Sequence, residues 1–151
     1  MATSPSMSRS RVGGYRTPVV LLFQIAGAGL LLAMAGIHFY LWLDVGYRDI
    51  MPIGPLFLAN TVGGTLLAIA LFVSPKRFFP LVGLLSALFD LGTLGALMIS
   101  LTPGGLFGFP ESIQAPLVPT TIWVEAAGVV VLGVLTALAI KGRGRSADKD
   151  T

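Results

Sequence analysis

Four long runs of apolar residues, at 18–43, 55–73, 79–101 and 119–140, are separated by short polar segments. Each run is close to the ~20 residues an α-helix needs to cross a ~30 Å hydrocarbon core. The pattern predicts an all-α membrane protein whose four transmembrane helices form an up-down-up-down bundle. Local signals place the boundaries. Thr17-Pro18 supplies an N-cap with Pro at the first helical position, and Gly54-Pro55 and Val118-Pro119 repeat the Pro device at helices two and four. Ser74-Pro75 ends helix two, and Lys76-Arg77 forces a tight turn that makes helices two and three an antiparallel hairpin. The connection 102–118 mixes Leu106, Phe107, Phe109 and Ile113 with Glu111 and Gln114, a composition suited to a membrane interface. It reads as a partly apolar linker, with a lid over the bundle mouth as the alternative.

Periodicity assigns faces to the helices. In helix three, Gly83, Ser86, Asp90, Thr93, Ala96 and Ser100 recur at three- or four-residue steps, so the small and polar groups share one stripe that should face protein. Gln24, Ala28, Leu31, Ala35, His38 and Trp42 do the same in helix one, and Asn60, Gly64 and Ala68 in helix two. Four small-xxx-small pairs, Gly29/Ala33, Gly64/Ala68, Gly92/Ala96 and Gly133/Ala137, suggest close backbone approach. Phe39, Tyr40, Trp42, Tyr47, Trp123, Phe78 and Phe79 cluster near span ends and are expected to be interfacial anchors.

Charge adds an orientation. Nine of the ten Lys and Arg residues lie on one side of the four spans: Arg9, Arg11, Arg16, Lys76, Arg77, Lys141, Arg143, Arg145 and Lys149, with Arg48 alone opposite. Cationic loops resist translocation, so both termini are expected in the cytoplasm, with 1–17 and 141–151 as disordered tails. Only 11% of residues are charged and mean hydropathy is +0.85, against about 25% charged in soluble domains. The net charge of +3 is confined to tails and one turn, which fits anionic lipid headgroups and not nucleic acid. The first apolar run continues well past a secretory h-region and is expected to be retained. With no Cys, disulfides, thiolate nucleophiles and iron–sulfur clusters are excluded.

The candidate chemistry lies in the few polar groups within the spans, because ionisable groups are costly there unless paired or hydrated. At ~1.5 Å per residue, His38, Asn60 and Glu125 fall at one level below the outer ends of three helices, with Asp90 deeper, near the bilayer midplane. Arg48 is placed to fold down onto Glu125 or Asp90. Two arrangements are open: His38, Asn60, Asp90 and Glu125 line an outward cavity that binds protons or a polar ligand, or they hydrogen-bond one another and fix helix register. One His and no Cys argue against a zinc or haem site, and no nucleophile elbow or phosphate-binding loop is present. No cofactor is expected, and an enzyme is the least supported class.

The runs His38-Phe39-Tyr40-Leu41-Trp42, Gly46-Tyr47-Arg48-Asp49-Ile50 and Ile53-Gly54-Pro55-Leu56-Phe57-Leu58 resemble a segment of small four-helix integral membrane proteins of actinobacteria, over roughly residues 35–70. In size and topology the chain also resembles DoxX-type proteins distantly. The resemblance implies a four-helix fold in a bacterial plasma membrane and brings no activity with it. The functional expectation is an accessory subunit packing through Gly/Ala faces against a membrane-protein partner or a second copy. A proton-linked carrier or small-ligand binder using His38, Asn60, Asp90 and Glu125 is the alternative.

Overall fold

The computed structural model describes residues 17–147. It contains four helices, α1 (Pro18–Asp44), α2 (Ile53–Val73), α3 (Phe79–Ser100) and α4 (Val118–Ala147), with a short 3-10 turn at Tyr47–Asp49. All four are long and apolar enough to cross a membrane. Thr17 caps α1 as its sequence predicts, its hydroxyl accepting from the Val20 amide at 3.4 Å. α2 starts two residues before the expected Pro55. The proline still falls in the first turn, where its missing N–H leaves no helical bond unmade. At its other end, the Ser74 amide donates to Ala70 O at 3.0 Å. The next carbonyl, Leu71 O, would take its bond from residue 75, a proline without an N–H. The Gln24 side chain of α1 donates to that carbonyl instead, at 2.8 Å.

The largest boundary difference is at α4, expected to end at 140 but helical to Ala147. No proline interrupts 141–147, and Lys141 and Arg143 place cations where the helix dipole favours them. The stretch expected to begin a disordered tail is thus helix to Ala147. The rest of the expected tails, 1–16 and 148–151, lies outside the described residues.

α1 packs on both α2 and α4, and α3 packs chiefly on α4. Leu31, Met34, Leu71, Leu132 and Leu135 are fully buried at the centre. Close approach occurs where glycine permits it: Leu132 lies over Gly27, Met34 over Gly64 and the Phe89 ring over Gly63. Of the four small-xxx-small pairs, Gly64/Ala68 is buried between helices, whereas Gly29/Ala33 and Gly133/Ala137 face outward and Gly92/Ala96 borders a cavity. The predicted stripe of α3 does face protein, with Gly83, Ser86, Asp90, Thr93 and Ser100 all buried.

The outer surface is the inverse of a soluble bundle. Leu22, Ile25, Leu66, Phe72, Leu88 and Val130 are exposed on successive helices. A continuous apolar surface of this kind would drive association in water, and hydrocarbon is the medium that matches it. The chain is a small multi-pass membrane protein. Lys76, Arg77, Lys141 and Arg143 gather at one end, where the Arg143 guanidinium donates to Arg77 O at 3.1 Å. The four-helix topology brings the start of α1 to that same end. Asp44, Arg48, Asp49 and Glu111 mark the other.

Candidate functional site

At the acidic end a cavity of about 350 Å³ lies between α2 and α3, with α1, α4 and the α3–α4 connection completing its wall. Its lining along α3 runs from Leu88 to Ser100, which at ~1.5 Å per residue reaches ~18 Å into the bundle. Most of the wall is apolar. Tyr47 and Glu111 at the mouth, and His38, Asn60, Thr93, Ser100 and Thr121 deeper in, supply its polar points. Below, Phe89 closes the gap between α2 and α3, its ring lying in the notch left by Gly63.

The mouth is covered by the α3–α4 connection, so the lid alternative is the one observed. Leu106 and Phe109 exchange backbone hydrogen bonds of 3.1 and 3.0 Å around a turn through Phe107 (φ 53°) and Gly108 (φ 80°). Positive φ at both central positions is the geometry of a tight hairpin turn. The Glu111 amide ties this hairpin to Ser100 O at 2.6 Å. Tyr47, expected to be an anchor in the headgroups, is buried under the lid instead. Its ring stacks on Phe57 at 4.8 Å, meets Phe109 edge-on at 6.0 Å, and its hydroxyl donates to Glu111 Oε2 at 2.5 Å. Burial, with help from the hydrogen bond and charge of Glu111, pushes the Tyr47 phenol above the ordinary tyrosine range. Trp123, near the start of α4, is 77% exposed, and Phe39 stacks on Trp42 near the end of α1.

The residues expected at one level separate into two groups. His38, on α1, lies in the cavity wall with its ring edge on Phe57 at 4.9 Å. Its Nδ1 is 3.0 Å from Met34 O. A carbonyl oxygen only accepts, so Nδ1 carries the hydrogen and Nε2 of the neutral ring is left as an acceptor. Nε2 is 4.0 Å from Glu125 Oε1, beyond hydrogen-bond length. Asn60 is half-buried on the α2 side of the cavity.

Asp90 and Glu125 do not line the cavity as expected; they lie behind its wall, 2% and 0% exposed. Asp90 presses its carboxyl against the α4 backbone at Gly128, where any Cβ would collide with Oδ2. Gly128 is one turn beyond Glu125, so the two carboxyls lie within about a turn of each other between α3 and α4. The alternative of a mutually hydrogen-bonded cluster is not observed either. Asp90 Oδ2, both Glu125 oxygens and Ser86 Oγ have no hydrogen-bond partner among the described residues. Arg48 stays outside, its Nε 3.7 Å from Asp49 Oδ2 and both side chains exposed. Its backbone packs on Gly54 at the start of α2, and its side chain points out from that turn.

Among the described residues no group of three or more His, Cys, Asp or Glu side chains is arranged to hold a metal ion. The Tyr47–Glu111 pair was not foreseen from sequence. Its partners are 64 positions apart, and only the packing of the lid brings them together. Thr121, one turn before Glu125 on the same face of α4, was readable from its four-residue step. No family model, curated protein or solved structure matches the chain.

Proposed function

We propose that the protein binds a small, mainly apolar molecule carrying a hydrogen-bonding group, taken from the membrane. The observation that carries this is the position of the cavity. Leu56, Leu88 and Gly92 line it and are also exposed on the outer faces of α2 and α3, so its side communicates with lipid while its aqueous mouth is latched. A volume of about 350 Å³ is at the lower end for small-molecule sites. An apolar body would lie along Leu56, Leu88 and Leu97, and a polar head would meet His38, Asn60 or Thr93. Proton-linked carriage is the finer form of this function, because His38 is a titratable group in contact with the cavity.

The test is native mass spectrometry of protein extracted in mild detergent. The wild type should retain a lipophilic adduct, and Ala96→Trp, which fills the cavity, should lose it. An adduct unchanged in Ala96→Trp, or none in either protein, would remove the basis for the proposal.

A second function has its own support. Ala26, Gly29, Ala33 and Gly36 form a smooth, exposed strip on α1, with open space beside both glycines. Such a strip suits another helix at short distance, as an accessory subunit would require. A species that stays monomeric and uncrosslinked in native membranes would count against it. The cationic end of the bundle supports a cytoplasmic placement of both termini, and a bacterial plasma membrane is the setting in which we place the chain.

A further inference from the structure

α2 has no ionisable side chain, α3 has only Asp90, and α4 has only Glu125 before its cationic end. From α1, the ionisable group facing this pair is His38. The bundle interior therefore holds two carboxyls and one imidazole, with Tyr47 and Glu111 at the mouth above them. Burying two neighbouring carboxylates without a cation costs both desolvation and mutual repulsion. Asp90 Oδ2 and the fully buried Ser86 Oγ have no hydrogen-bond partner among the described residues, and Glu125 has the Thr93 hydroxyl and His38 Nε2 nearby. A proton on one carboxyl removes a charge and supplies a donor for one of these oxygens.

We propose that Asp90 and Glu125 form a proton-binding site in the centre of the bundle, filled and emptied from the cavity through Nε2 of His38. The tautomer suits the task, since Nδ1–H is engaged by Met34 O and the free lone pair is on the nitrogen facing Glu125. In the inward step a hydronium ion in the cavity gives its proton to Nε2, leaving water and an imidazolium. Nε2–H then transfers the same proton to a Glu125 carboxylate oxygen, restoring the neutral ring. A small side-chain rotation, or one bridging water, closes the 4.0 Å gap. The polar groups of the cavity wall between the mouth and His38, Glu111, Tyr47, Ser100 and Thr121, line the route by which water reaches the imidazole when the lid opens. The site needs the cavity only as a path for water and is independent of any lipophilic ligand.

The experiment is infrared difference spectroscopy of the full chain in lipid nanodiscs during pH steps, in both H₂O and D₂O. A carbonyl-stretch band of a protonated carboxylic acid in apolar surroundings should appear and shift in D₂O. The chain has two glutamates, Glu111 and Glu125, so the part of the band that ¹³C-glutamate labelling moves in the wild type and no longer moves in Glu125→Gln is the Glu125 contribution. Glu125→Gln and Asp90→Asn should each move the band, and the double variant should abolish it. His38→Phe should keep the band but slow its response to a pH jump by roughly a hundredfold, the low end for a positioned proton-transfer group. No such band in the wild type, or one that survives the double variant, overturns the site. A band that follows sodium concentration and not pH overturns it in favour of a cation. An unchanged rate in His38→Phe overturns the path. None of these outcomes depends on whether Ala96→Trp loses its adduct.

Discussion

A single side chain can repair what a proline removes. Pro75 stops α2 because it cannot donate, and the same deficiency leaves Leu71 O without its helical partner until the Gln24 amide reaches it. Gln24→Leu should destabilise the bundle by about 1 kcal/mol, in the range of hydrogen bonds between membrane helices, measured as a drop in thermal unfolding midpoint in detergent. The pieces of this contact were present in the sequence: a Gln on the inward stripe of α1 and a proline past the last turn of α2. What the sequence lacked was the register between the two helices. The same holds for Asp90 and Glu125. Their depth followed from counting residues, whereas their separation from the cavity depends on Gly128 admitting the Asp90 carboxyl to the α4 backbone.

Among elements, the helices were legible and the lid was not. A helix spanning a bilayer is specified by its own composition, so α1, α2 and α3 fall within two residues of their expected bounds. The α3–α4 connection takes its shape from partners far off in sequence, chiefly Tyr47 and Phe57. Its latch should be sensitive to alkali. The folded state favours the protonated phenol of Tyr47, so its contribution is whole below the unfolded tyrosine value of ~10 and declines as pH rises beyond it. Tyrosinate absorbance of the wild type minus that of Tyr47→Phe should therefore rise later than for a free phenol. The variant should also lack the corresponding loss of stability at high pH. A Tyr47 signal at the ordinary position would mean that the lid is open in solution.

For the whole molecule, sidedness is the property to measure. The absence of Cys makes single-thiol labelling clean. Ser112→Cys, on the lid, should react with an impermeant maleimide in intact cells, and Lys141→Cys should react only after permeabilisation. The reverse pattern would invert the bundle. The even number of spans and the uneven charge were legible in the chain, since both depend on composition alone. The gap between α2 and α3 was not, because it reflects how unequal side chains fill a shared seam. At the bottom of that seam lies one aromatic ring. With Phe89 seated on Gly63, that ring is the floor on which any occupant of the cavity would rest.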